Sequence, residues 1–197
     1  MSIEEQILAK IKKNKKAKIF FAENFIELGK PDAIRKALER LVKNEQLERV
    51  AVGIFSRPEY NDIIGKISPS IEDIAKALAD RDKARIVPTG EYALNRLGLS
   101  TQMPMNIIYL TDGTARKIKI YNNTIKFKKT SPKNLATLGE ISGLAIQALR
   151  AIGKNKVTDN EVKKIKTLLK KEKKETLVHD IQMAPSWIRE IMKDVLN

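Results

Sequence analysis

Between Arg116 and Lys129 the chain alternates cationic and apolar residues with strict period two, a pattern that only an extended strand turns into two separate faces. Ile118, Ile120, Ile125 and Phe127 take one face. Lys117, Lys119, Lys126 and Lys128 take the other, across an expected turn at Asn122-Asn123. A helix would scatter these lysines around its axis, so the stretch is read as a β-hairpin with one core face and one cationic face. Arg116 and Lys129 extend the positive stretch at its two ends. Residues 111–135 hold seven basic side chains and a single acidic one, Asp112, which makes this the densest positive block of the chain. Three uses fit such a face: contact with phosphates, docking of an acidic partner, and protection of an exposed strand edge.

The positive balance extends to the whole chain, with a formal net charge of +14 over 197 residues and a pI near 9.8. A chain so charged meets anions at long range, nucleic acid before membrane. No stretch approaches the roughly 18 apolar residues of a spanning helix. The start, Met1-Ser2-Ile3-Glu4-Glu5-Gln6, is acidic where a secretory signal would be basic, so no membrane association is expected and the cytoplasm is the expected location. The chain has no cysteine and one histidine, His179, so neither a metal site nor a cofactor is expected. Asp80 and Asp82 have the spacing of a magnesium-holding pair, but no phosphate-cradling Gly-Ser turn precedes them. They are read as a solvated helix end, and the chain as not an enzyme.

The first sixty residues read as helix, short strand, helix, helix, hairpin. Ser2 and Glu5 have the spacing of a capping box ahead of the helically spaced Ile3, Ile7, Leu8 and Ile11. Ile19-Phe20-Phe21 suits a short buried strand, Glu23 to Leu28 one or two helical turns ended by Gly29, and Pro31 the start of a helix to about Asn44. At about 100° per residue, Ile34, Ala37, Leu38, Leu41 and Val42 form one apolar arc. Lys36, Arg40 and Lys43 fall opposite, with Arg35 on the flank, while Asp32 and Glu39 would repel phosphates unless Glu39 pairs with Lys43. Leu47 to Val50 and Gly53 to Ser56 make a hairpin across Ala51-Val52, with Arg49 and Arg57 at its outer ends. This order is the winged helix-turn-helix plan, in which the second helix of the turn enters the DNA major groove and the wing touches the backbone.

After Pro58 the elements are short: a helix with Ile71, Ile74, Ala75 and Leu78, a strand at Arg85-Ile86-Val87, a helix from Glu91 to Leu97 stopped by Gly98, and a buried-looking strand from Ile107 to Leu110. From Ser131-Pro132 onward the chain reads as helix. Leu135 to Ile152 is apolar at helical spacing, interrupted by Gly139 and Gly143; Thr158-Asp159 caps a helix to Leu169; and a last helix follows Pro185, with Trp187 in its apolar stripe. The mixed run Lys170-Lys171-Glu172-Lys173-Lys174-Glu175 is read as a solvated helix surface. The expected fold is α+β: a winged helix-turn-helix over 1–60, a small mixed α/β domain with the basic hairpin over 61–135, and a helical C-terminal region over 136–197 packed on the middle domain.

Several stretches give the chain a resemblance to a known family. They are Gly53-Ile54-Phe55-Ser56-Arg57-Pro58, the run from Pro88-Thr89-Gly90-Glu91-Tyr92 through Gln102-Met103-Pro104, Tyr109-Leu110-Thr111-Asp112-Gly113 leading into Arg116-Lys117-Ile118, and Phe127-Lys128-Lys129-Thr130-Ser131-Pro132. Over roughly residues 1–135 the chain resembles the AbiEi-like antitoxins of type IV toxin–antitoxin and abortive-infection systems, in a DUF6088-type branch. The resemblance implies a winged helix that represses its own operon and a following domain that counters a nucleotidyltransferase toxin from the adjacent gene. It carries no cofactor and no catalytic residue. The partners it implies are double-stranded DNA of the chain's own operator and, functionally, that toxin. DNA contacts would fall on Lys36, Arg40 and Lys43, with Arg35 beside them, and on Arg49 and Arg57 of the wing. Two other readings stay open: a protein-interaction module docking an acidic partner through Arg116, Lys117, Lys119, Lys126, Lys128 and Lys129, and an RNA-binding protein.

Overall fold

The structure, a computed structural model, describes residues 1–14 and 18–196. It is a mixed α+β protein whose described residues fall in two compact units, one over 1–78 and 119–121, the other over 79–118 and 122–197.

In the first unit, helix α1 (Ile3–Lys13) opens on the expected capping box: Ser2 Oγ accepts from the Glu5 amide at 3.1 Å and Glu5 accepts from the Ser2 amide at 2.8 Å. Strand β1 (Ile19–Phe21) is buried at all three positions, and a 3-10 helix (Ala22–Leu28) leads to helix α2 (Pro31–Lys43). Pro31 sits where its missing N–H leaves no helical bond unmade. Strands β2 (Glu48–Ala51) and β3 (Ile54–Ser56) follow, and the antiparallel sheet runs β1-β3-β2. The β2–β3 turn lies at Val52-Gly53, one residue later than expected. Gly53 has φ +70°, a conformation that costs glycine little, and the pairing slips between Arg49 and Ala51. Ile7, Ile11, Phe20, Phe25, Ile34, Leu38, Leu41 and Phe55 form the core. Each such buried side chain stabilises by roughly 1.5–3 kcal/mol.

The expectation gave no structure to residues 59–67, where the chain forms an exposed hairpin of strands β4 (Glu59–Asn61) and β5 (Gly65–Ile67). Asn61 Oδ1 accepts from the amides of Ile63 and Ile64 and holds the turn. Helix α3 (Ile71–Arg81) runs three residues beyond Leu78, the last apolar position of its expected stripe.

The second unit holds strands β6 (Ile86–Thr89), β7 (Asn106–Thr111), β8 (Arg116–Ile120, which ends in the first unit) and β9 (Asn123–Lys129). Their order is β6-β7-β9-β8, with β7 and β9 parallel. The hairpin read from the alternation is therefore half of a four-stranded sheet, and its β9 arm is interior. Its turn is Tyr121-Asn122, with Tyr121 at φ +52°. Helix α4 (Glu91–Arg96) packs with α5 (Glu140–Ile152), α6 (Asp159–Leu169), α7 (Lys174–Met183) and α8 (Ser186–Lys193) around Leu94, Leu97, Leu144, Leu149, Ile165, Leu169, Ile181, Ile188 and Met192. Trp187 packs partly buried against this cluster.

The expected long helix breaks at Gly139, and two carboxylates answer the amides this leaves at the start of α5. Asp180, wholly buried, accepts from the amides of Leu138 and Gly139, each at 2.8 Å, and from Ser142 Oγ. Glu172 accepts from the amides of Ile141 and Ser142 at 3.0 and 3.2 Å. The run Lys170–Glu175 is solvent-exposed except at Glu172, which is turned inward onto α5, and residues 170–173 form the turn between α6 and α7 where a helix was expected, with α7 beginning at Lys174. A carboxylate at a helix N-terminus gains from both the unpaired amides and the helix dipole. Asp180→Ala strands the buried Gly139 amide and leaves the Ser142 hydroxyl only Glu172, 3.5 Å away, and an unpaired buried donor costs about 1–3 kcal/mol. We expect this variant to lose about 2 kcal/mol or more in urea unfolding, and Ser2→Ala, an exposed cap, only about 1 kcal/mol.

Candidate nucleic-acid interface

Among the cations expected to bind DNA, the structure separates those committed to the fold from those left free. On α2, burial of Ile34, Ala37, Leu38 and Leu41 turns Lys36, Arg40 and Lys43 outward. Lys36 and Lys43 pair with no carboxylate among the described residues. Arg40 bonds Glu4 of α1. Arg35 lies 3.4 Å from both Asp32 and Glu39, so Glu39 pairs backward with Arg35 and not forward with Lys43. Exposed pairs of this kind hold by roughly 0–1 kcal/mol, and phosphates can displace them.

The two arginines expected on the wing part company. Arg49 is exposed on β2 beside Phe55 and bonds no acidic group among the described residues. Arg57 follows β3 at the end away from the turn, and its guanidinium donates to the carbonyls of Ile11 at 2.6 Å and Asn14 at 3.3 Å. It caps the C-terminus of α1, where a cation also meets the negative end of the helix dipole. Arg57 thus has a role in the fold, apart from the DNA contact expected of it.

Between the 3-10 helix, α2 and the β2–β3 turn lies a groove of about 430 Å³, lined by Ile26, Leu38, Val42, Val52 and Phe55, with Arg35 and Arg49 also on its wall. Ile26 and Val52 are largely exposed, so this flank of α2 is apolar as well as basic.

Glu48 was missed by sequence reasoning. It shares the inward parity of Val50 on β2, and that parity was the available signal. Only 9 % exposed, it accepts from Tyr121 Oη at 2.9 Å and Ser68 Oγ at 3.0 Å, with Lys66 Nζ at 3.5 Å. Burial pushes the Tyr121 hydroxyl up to about 12.

On the sheet of the second unit, Ile125 and Phe127 are buried while Lys126 and Lys128 take the opposite parity; Lys117 and Lys119 are exposed on β8 and Lys129 at the end of β9. Arg116 is used by the fold. It bonds Asp82, and its guanidinium sits 5.3 Å from the centroid of the Phe127 ring. Partial burial would raise the Asp82 carboxyl, but bonds and charge from Arg81 and Arg116 outweigh it and hold the group below the ordinary carboxylate value. Asp82 thus lies at the solvent-exposed end of α3, as expected, and there also anchors Arg116.

The polar residues of the Pro88–Pro104 stretch also go to structure. Thr89 Oγ1 donates to Gln147 at 3.2 Å, Asn95 Nδ2 donates to the carbonyls of Ser100 and Gln102, and Arg96 pairs with Glu140 at 2.7 Å. His179 Nδ1 lies 2.8 Å from Asp180. No helix among the described residues is long and apolar enough to cross a membrane.

Arg57→Ala is expected to lower the thermal midpoint, a loss of about 1–2 kcal/mol, while leaving any duplex-DNA affinity within twofold. A large affinity loss without destabilisation would return Arg57 to the interface.

None of the curated proteins matches this chain. The model of a family of unknown function, DUF6088, matches residues 6–177, most of the sequence. On that match, the chain belongs to the DUF6088 family.

Proposed function

We propose that the chain is a DNA-binding regulator whose first unit is a winged helix-turn-helix, with α2 as recognition helix and β2–β3 as wing. The observation that carries the reading is the arrangement on α2. Lys36 and Lys43 stand free on its solvent side, with Arg40 and Arg35 in weak exposed pairs beside them. The helix follows a strand and a short helix and precedes a hairpin in a β1-β3-β2 sheet, the element order of winged helices. Arg49 adds a free cation on the hairpin. The net charge of +14 supplies the long-range attraction.

The finer reading is an autorepressor and antitoxin acting in the cytoplasm, binding its own operator and countering a nucleotidyltransferase toxin. It rests on the resemblance of the central stretch and the wing to AbiEi-like proteins. No catalytic step belongs to it. A second reading, a protein-docking module, has the apolar groove beside α2 in its favour.

Lys36→Ala with Lys43→Ala tests the reading. Removing one phosphate contact reduces the slope of log K against log salt by about 0.9. By fluorescence anisotropy on a duplex from the chain's own upstream region, the double variant should show a slope shallower by about 2 and, at about 0.15 M salt, affinity lower by at least roughly tenfold, with an unchanged melting curve. Unchanged affinity in a folded variant removes α2 from the interface and leaves the docking module as the surviving reading.

A further inference from the structure

The second unit carries cations that neither its fold nor the α2 interface uses. Lysines on β8 have an ordinary explanation, since charge on an edge strand discourages pairing with other chains. β9 is not an edge. It pairs with β7 on one side and neighbours β8 on the other, so edge protection leaves Lys126 and Lys128 unexplained. The parallel register sets Lys126 beside Ile108 and Lys128 beside Leu110, with Val87 next to Leu110 on β6. Lys117 has the outward parity on β8 and is exposed. The opposite face is buried at Ile107, Tyr109, Ile125 and Phe127.

None of Lys117, Lys126 and Lys128 bonds a carboxylate among the described residues. Arg116, one position along from Lys117, is held by Asp82 and Phe127. Like charges on adjacent strands of one face destabilise a sheet, so this unit bears a repulsion that a bound polyanion would relieve.

We propose that Lys117, Lys126 and Lys128 form a second nucleic-acid contact that binds the phosphodiester backbone without reading sequence. The chemistry of the face selects that ligand. It presents ammonium groups over the aliphatic side chains of Ile108 and Leu110, the amide side chain of that parity on β7 is Asn106 at the strand's start, and β6, β7 and β9 place no aromatic ring on it. Centres of protein–protein interfaces are enriched in aromatics, methionine and arginine and depleted in lysine, the reverse of this face. The inference rests on the reading of the chain as a nucleic-acid-binding protein, but not on α2.

The test uses the full chain with Lys117→Thr, Lys126→Thr and Lys128→Thr together, threonine being well suited to strands. Binding is followed by anisotropy over a salt series on a shuffled duplex and on the upstream duplex. With the three ammonium groups removed, the slope on the shuffled duplex should fall by about 2 to 3, while the ratio of affinities for the two duplexes stays as in the wild type. Lys126→Gln with Lys128→Gln, which keeps side-chain length and amphipathic stems, should lower the slope by about 2 and serves if the triple variant misfolds. An unchanged slope in a folded variant overturns the proposal. So does wild-type binding to poly-L-glutamate as tight as to the shuffled duplex and lost in the variant, which would assign the face to an acidic protein. The Lys36→Ala, Lys43→Ala chain separates the two claims. If it keeps wild-type discrimination while the sheet variant loses slope, the α2 reading fails and this one stands; the converse result rejects the sheet contact alone.

Discussion

Helix α5 is buried along most of its length, and the four amides at its start have no partner within the helix. The second unit depends on how these amides are answered. Asp180 from α7 and Glu172 from the turn before it both reach the first turn of α5, so one electrostatic contact fixes where α5 begins and how α6 and α7 return to it. The same arrangement places the lone histidine, His179, with its Nδ1 2.8 Å from Asp180.

Charge is spent on structure in the first unit too, which narrows what remains for binding. Arg57 closes α1, and Glu48 draws Ser68, Lys66 and Tyr121 together. Arg116 in the second unit is drawn onto Asp82 and Phe127. Of the cations left free, Lys36, Lys43 and Arg49 lie on α2 and its hairpin, and Lys117, Lys126 and Lys128 on the second unit's sheet, where regular elements hold them in place.

Much of the fold was legible because burial writes itself into periodicity. The arc from Ile34 to Leu41 located α2, the Ser2 and Thr158 caps located the starts of α1 and α6, and strict alternation located β8 and β9. What escaped was whatever lacks such a trace. The β4–β5 hairpin is exposed on both faces and leaves no apolar rhythm. The insertion of β7 beside β9 is a long-range pairing, and nothing near the hairpin announces that one of its arms is interior. The candidate site was legible by residue type and angle, but not by partner. Arg57 looks like any other wing arginine until the carbonyls of Ile11 and Asn14 are found beneath it, and Glu172 looks solvated until α5 is found beside it.

The central claim concerns where a duplex sits on the first unit, and backbone amide chemical-shift mapping addresses it directly. On titration with the upstream duplex, the largest changes should fall on Asp32–Lys43 and on Glu48–Ser56, with smaller ones on β9. Changes confined to the second unit, or none on α2 at saturating duplex, would contradict the account.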